Sequence, residues 1–166
     1  VSGILVFAKT PAAAKELNRQ LTTSGFGKHY YALVAGTPEP PSADLENYLV
    51  KDARTNTSRI CQKNTADAKL AKLHYNLADT TFFADIASAI SATTSQLKIK
   101  LDTGRHHQIR VQLSGMGCPI IGDTKYNSDT PKLPTGRTPL CLCAYSLEFK
   151  HPVTKKQMTF SLEHYV

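Results

Sequence analysis

No run of apolar residues in this chain approaches the ~18 needed to cross a bilayer as a helix. The longest near the start covers only residues 3–8. Cysteine is scarce, with only Cys61, Cys118, Cys141 and Cys143. Their spacing fits no zinc ribbon, because Cys141-x-Cys143 is tighter than the usual two-residue gap. A disulfide framework suits shorter chains, so reduced, mostly buried thiols in a cytosolic protein are expected. No signal-peptide pattern opens the sequence, and it has no initiator Met. Val1-Ser2-Gly3 leads straight into apolar residues, so Val1 is expected to be an interior residue of a longer polypeptide. There is no internal repeat and no low-complexity segment.

Acidic residues are the minority, with 13 Asp plus Glu against 20 Lys plus Arg, a net charge of +7. A positive field attracts polyanions, and nucleic acid is the commonest of these. Charge alone leaves open a merely soluble basic surface. The apolar fraction of 41% and charged fraction of 20% exclude a wholly disordered or collagen-like chain. With 166 residues, one domain is the natural prior. A domain of this size buries roughly 70% of its unfolded surface and needs no disulfide or metal to fold.

Residues 4–8 read as a buried strand. Thr10-Pro11 marks a helix start, with Thr as cap and Pro in the first turn. Ala14, Leu17 and Leu21 would form its apolar face, and Gly25 and Gly27 would end the segment. A strand over 30–34 stops at Gly36 and a loop rich in proline. Short strands are expected at 48–50 and 58–61. Alternation over 71–77 and over 97–101 predicts two half-buried strands. Residues 82–94 stay ambiguous between helix and loop. A short helix is expected from about Arg105 to Ser114, and a closing strand pair at 140–149 and 158–162. Many strands with two short helices predict an α+β domain, residues 1–166, built on one mixed or antiparallel sheet.

The sharpest local feature is Leu101-Asp-Thr-Gly-Arg-His-His-Gln-Ile-Arg110. A strand ends, Gly permits a tight turn, and a helix begins among two arginines and two histidines. Free N–H groups at a helix start favour an anion, and Arg105 and Arg110 add rigid forks suited to phosphate or carboxylate. A solvated basic helix start remains the alternative. Adjacent His106 and His107 on a helix would point about 100° apart, so a shared metal is not expected. The second feature is Lys28-His-Tyr-Tyr-Ala-Leu-Val-Ala-Gly36. Tyr30 and Tyr31 face opposite sides of a strand. One can fill the core while the other lines a pocket, and a tyrosine beside a basic cluster can serve as a platform for a nucleobase.

Taken together, these segments resemble the RluA-type pseudouridine synthases, which isomerise uridine in ribosomal or transfer RNA. Ser2-Gly-Ile-Leu-Val-Phe-Ala-Lys9 is similar to the strand after that family's catalytic loop. Lys28-x-Tyr30-x-Ala-Leu-Val-x-Gly36 resembles its second motif. Leu49-x-Lys51-Asp52 with Asn56-x-Ser58, and Ala68-Lys69-x-Ala71 with Tyr75, resemble its middle section. Leu101-x-Thr-Gly-Arg-x-His-Gln-Ile-Arg110 resembles its third motif. Pro119-Ile-x-Gly-Asp123 with Tyr126, and Ala144-x-x-Leu-x-Phe-x-His-Pro152, resemble its C-terminal part. Cys143 and Gln112 stand where many relatives have His, which reads as subfamily variation.

The resemblance implies a pseudouridine synthase fold and an RNA isomerase. It implies Tyr30 and Arg110 as catalytic residues, with Tyr30 packing on the base and serving in proton transfer at C5. Arg110 would pair with a nucleophilic Asp. Lys28, Arg105, His107 and Gln108 would contact RNA. No cofactor and no metal are implied. The partner would be rRNA or tRNA, the protein monomeric and cytoplasmic, with no membrane association. That Asp belongs to an Arg-Leu-Asp motif expected about three residues ahead of Val1, and the chain does not contain it. Asp102 sits where the family is variable. These 166 residues alone are therefore expected to be inactive, with the motif lying further upstream in the polypeptide. The alternative is a non-catalytic RNA-binding module of the same fold. If the resemblance holds, Tyr30, Arg110 and residues 1–3 should meet at one cleft.

Cys141 and Cys143, two apart on one strand, would place their side chains about 7 Å apart, too far to bridge without distortion. Thiol titration under denaturing, non-reducing conditions should give four free thiols per chain, and metal analysis no stoichiometric zinc. Fewer thiols would show a disulfide.

Overall fold

The computed structural model describes residues 1–23, 25–79 and 82–163. Its elements in chain order are β1 (Ser2–Gly3), α1 (Pro11–Thr22), β2 (Gly27–Ala35), β3 (Ser42–Asp52), β4 (Thr57–Cys61) and β5 (Lys69–Leu77). There follow α2 (Ala84–Ala89), β6 (Thr94–Leu101), α3 (Gln108–Gly115), β7 (Leu142–Lys150) and β8 (Gln157–Ser161). The strands form one sheet in the order β1-β7-β2-β6-β5-β3-β4, with β8 also pairing β7. Every pairing between these strands is antiparallel except β1 with β7. This is the expected α+β architecture on a mixed, mostly antiparallel sheet.

The alternating segments behave as their periodicity dictates. In β5, Ala71, Leu73 and Tyr75 are buried, and in β6 Leu97, Ile99 and Leu101 are buried. Residues 32–34 of β2 are buried as a continuous run because both faces of this central strand are covered. The main core joins these strands to Ile109 and Leu113 of α3 and to Ile120 and Ile121 of the loop that follows. Thr10 caps α1 by accepting the Ala13 N–H at 3.2 Å. Gln20 of α1 is buried and clasps the end of β7, donating to the Lys150 carbonyl and accepting from its N–H.

Four expectations need correction. Residues 4–8 are not a buried strand: the ladder to β7 ends at Gly3, although Ile4 still donates to the Ala144 carbonyl. Ile4 and Val6 pack against a small cluster around Leu17, Leu147 and Phe149, whereas Leu5 and Phe7 are 76% and 83% exposed. Next, β3 is far longer than residues 48–50: Ala43 and Leu45 turn inward between exposed Asp44 and Glu46, and Asn47 at the next inward position interrupts the apolar pattern. Cys141 precedes β7, so only Cys143 lies on that strand. Finally, α3 begins at Gln108 rather than Arg105, since His107 adopts a left-handed conformation at φ 53° and breaks the helix there. The ambiguous stretch contains α2, with Phe82 and Phe83 turned into the core.

The loop between α3 and β7 crosses the core at Gly122, where the backbone turns through φ +78°. A side chain there would run into the Pro139 carbonyl. Gly122→Ala should destabilise the fold by about 1–3 kcal/mol, lowering the melting temperature by about 2–4 °C per kcal/mol. An unchanged thermal melt would show that this loop relaxes freely.

Candidate active site

A cavity of about 290 Å³ opens where the start of the chain, β2 and α3 come together. Its walls include Ser2, Gly3, Tyr30, Arg105, His107 and Arg110. Tyr30 and Arg110, 80 positions apart, thus meet beside residues 1–3, the convergence expected if the resemblance holds.

Each wall has a local cause. Gly3 lies against Ala144 of β7 so closely that any Cβ would overlap its backbone, and its φ of +122° suits glycine. Tyr30 stands where the β2–β7 register shifts, just after His29. Such an irregularity re-aims the side chain beside it. Tyr31 goes to the opposite face, stacked on Tyr145 with ring centroids 4.0 Å apart and beside Phe82 at 4.7 Å. Burial pushes the Tyr30 phenol above its ordinary range, so the hydroxyl stays protonated near neutrality.

Arg110 sits in the first turn of α3 and grips Asp123 with two hydrogen bonds, Nε to Oδ2 at 2.8 Å and Nη2 to Oδ1 at 2.6 Å. The Asp123 side chain is wholly buried. Burial alone would raise its carboxyl, but the Arg110 hydrogen bonds and the N–H groups of Lys125 and Tyr126 outweigh it and hold the carboxyl below its usual range. The guanidinium also lies over the Tyr126 ring, 5.0 Å from its centroid. Tyr126 extends the network: its hydroxyl accepts the Ser58 N–H at 2.7 Å and pairs with His107 Nδ1 at 2.9 Å.

His107 is not a cation here. Burial, then the charge of Arg110, presses its pKa down to about 4. It can offer a phosphate a hydrogen bond but not a charge. His106 stacks on it with centroids 3.8 Å apart, and its Nδ1 pairs with Ser58 Oγ at 2.9 Å. The two rings are therefore not 100° apart, because neither belongs to the helix. Among the described residues no group of three or more His, Cys, Asp or Glu side chains is arranged to hold a metal.

Gln108 departs most from expectation. It is buried, its Oε1 accepts from the Arg105 N–H and Thr103 Oγ1, and its Nε2 donates to the Lys72 carbonyl. Its amide braces the loop over 103–107, and the residue also forms part of the cavity wall. Arg105 is exposed at the cavity rim with Nε fixed on the Leu70 carbonyl at 2.8 Å. Lys28 lies next door, in a hollow of about 770 Å³ that shares Leu101 with the main cavity. Burial, then Arg105, lowers the Lys28 ammonium. Sequence reasoning placed Asp123 and Tyr126 in a motif without giving them roles, and it did not single out His106 as a site residue. An Asp following a Gly, with an aromatic three residues on, was the available signal.

A basic α+β fold with a Tyr–Arg cleft beside its first strand defines a class, and comparison with known proteins names it. Residues 1–115 match the family model described as RNA pseudouridylate synthase. The dual-specificity RNA pseudouridine synthase RluA of Haemophilus influenzae is 34% identical over 96% of this chain and 67% of its own length. The Escherichia coli protein of the same name is 32% identical over 96% of the chain and 67% of its length. The solved structure of human RNA Pseudouridylate Synthase Domain Containing 1 has the same fold, with a TM-score of 0.69 at 22% identity. That match covers 93% of this chain but 61% of the human one, so the chain spans about three fifths of the human structure. The chain belongs to the RNA pseudouridylate synthase family.

The depressed His107 pKa has a pH signature. The folded state binds fewer protons than the unfolded state between about pH 4 and the ordinary histidine value. The stability this group contributes is present above about pH 6.5 and is lost as the pH falls toward 4. Urea unfolding at pH 7 and pH 5 should show a smaller pH dependence for His107→Gln than for the wild type. Equal pH dependence would mean that the ring is solvated.

Proposed function

We propose that this chain is the base-holding core of an RNA pseudouridine synthase acting on uridines of ribosomal or transfer RNA. The observation that carries this reading is the convergence of Tyr30, Arg110 and residues 1–3 on one cavity. The isomerisation breaks the N1–C1′ bond, turns the base and joins C5 to C1′; the C5 hydrogen leaves as a proton and N1 ends protonated. Electrons balance within the nucleotide, so no cofactor is required. The uridine must leave its stack to reach the cavity, at a cost of a few kcal/mol.

Tyr30 packs against the extruded base. Its phenol, pushed further above neutrality by burial, can donate a hydrogen bond to the base. Arg110 spends two of its five N–H donors on Asp123 and presents the guanidinium at the cavity wall. In this reading it also faces the nucleophile, an Asp carried ahead of Val1 in the position the resemblance implies. A guanidinium between two carboxylates keeps both ionised in a site that excludes water. Asp123 does not serve as that nucleophile, because its oxygens are buried and occupied by Arg110 and two backbone N–H groups.

The test is tritium release from RNA labelled at uracil C5. The 166-residue chain should release none while still binding RNA. A form extended upstream through its Asp should turn over, and the same form with that Asp changed to Ala should not. Release by the 166-residue chain at the rate of the extended form would place the nucleophile within these residues. RNA binding without turnover by the extended form would identify a non-catalytic module.

A further inference from the structure

Beyond Arg105 the rim of the main cavity falls into a second hollow of about 370 Å³. Strand register builds its floor. Lys51 of β3 lies opposite Ser58 of β4, and Leu49 of β3 lies opposite Lys69 of β5. Opposed residues share a face of the sheet, as do residues two apart on one strand. Lys51, Ser58 and Lys69 therefore stand on one face. The loop over 103–107 forms the remaining wall and is fastened to β5, through Thr103 Oγ1 accepting the Lys72 N–H and through Arg105 Nε on the Leu70 carbonyl. The Arg105 fork is thus held in place although exposed.

The charges in this hollow are unbalanced. Lys51, Lys69 and Arg105 face one carboxylate, Asp67. Among the described residues no ion pair involves Lys28, Lys51, Lys69 or Arg105. Lys28 Nζ comes within 3.3 Å of where a Gly104 side chain would begin, which extends the row of cations across the loop. His106, beside them, is kept from charging by burial and then by Lys51. Like charges gathered without counter-ions are unfavourable in an isolated protein and favourable once an anion arrives. The hollow on the other side sets two carboxylates, Asp102 and Glu148, against Lys28, Lys100 and Lys150, so its charge is better offset than three cations against Asp67 alone.

We infer that the hollow of Lys51, Lys69 and Arg105 binds backbone phosphates of the RNA strand flanking the nucleotide in the main cavity. Arg105, shared by both spaces, takes the phosphate at the boundary, and Lys51 and Lys69 take the phosphates beyond it. The strand leaves the site across β3 and β5 rather than past Lys100 and Lys150. The inference rests on the reading of the main cavity as an RNA site.

The test measures binding of a fluorescent single-stranded oligoribonucleotide to the 166-residue chain across a salt series. Each phosphate contact on a single strand contributes about 0.7 to the slope of log K against log salt. The Lys51→Gln/Lys69→Gln variant should bind about tenfold more weakly at ~0.1 M salt, with a slope shallower by about 1.4. Lys100→Gln/Lys150→Gln should change both less. Inorganic phosphate should shift the amide resonances of Gly104, Arg105 and His106 in the wild type and not in Lys51→Gln/Lys69→Gln. Unchanged affinity and slope in that variant, with the wild type binding RNA, would overturn the inference and leave the main reading standing. The same holds if phosphate shifts those amides while the variant's RNA binding is intact, for the hollow would then take free phosphate only. A wild-type chain that binds no RNA even at low salt would overturn the main reading, and the inference with it.

Discussion

A carboxylate without solvent contact is tolerable only where charge and hydrogen bonds replace its lost hydration, and Asp123 has both. Arg110 supplies the charge and two hydrogen bonds, and two backbone N–H groups supply the rest. Leaving either partner alone would cost about 3–5 kcal/mol, because an unpaired charge would remain half or wholly buried. The pair joins α3 to the loop after it. Through the N–H of Tyr126 it fixes that ring, and through the Tyr126 hydroxyl it reaches Ser58 on β4 and His107 before the helix. Arg110 is therefore not a free guanidinium waiting for a ligand. Its direction is set by a scaffold that spans the loop, the helix and the edge of the sheet.

The loop ahead of α3 depends on a second anchor, the carbonyl of Lys72. Asp102 and Thr103 donate to it from their backbones and Gln108 from its side chain. A carbonyl has two lone pairs, so these donors crowd around it and the loop is drawn tightly onto β5. That closure explains two departures from the sequence pattern. Gln108 is consumed as a brace, and the helix cannot start at Arg105 because residues 105–107 form the turn that lets Gln108 fold back. It also sets Arg105 at the boundary of two hollows.

What could be read from the sequence follows the range of the interaction responsible. The cap at Thr10 and the alternation in β5 and β6 depend on residues a few positions apart, and the structure contains them as expected. The opposed faces of Tyr30 and Tyr31 follow from strand geometry alone. Residues 4–8 misled because apolar content alone does not supply a strand neighbour; the ladder runs out at Gly3. The late start of α3 depends on contacts with Leu70 and Lys72, more than 30 positions away. Ser58 and Tyr126 are 68 positions apart, and nothing near either one announces the other. Within the site, residue types and their convergence were legible through the motifs; the protonation state of His107 and the occupation of Gln108 were not, because tertiary neighbours determine both.

The two kinds of group around the cavity divide the work that an extruded nucleotide requires. In its wall stand a protonated tyrosine and a neutral imidazole, which can meet a flat base without the desolvation penalty of a charge. At its rim stand Arg105 and, beyond it, Lys51, both exposed, where water remains and a charge is cheap to keep. Burial first, and neighbouring cations second, press the histidines toward neutrality. Arg110 acts on His107 and Lys51 on His106. The positive field thus gathers a polyanion at the surface and adds to the burial that lowers both imidazoles beside the cavity. Gathering alone would make a basic surface that holds RNA. The discharged rings beside a buffered Arg110 give the inner space a chemistry different from its rim, and a base-specific reaction needs that difference.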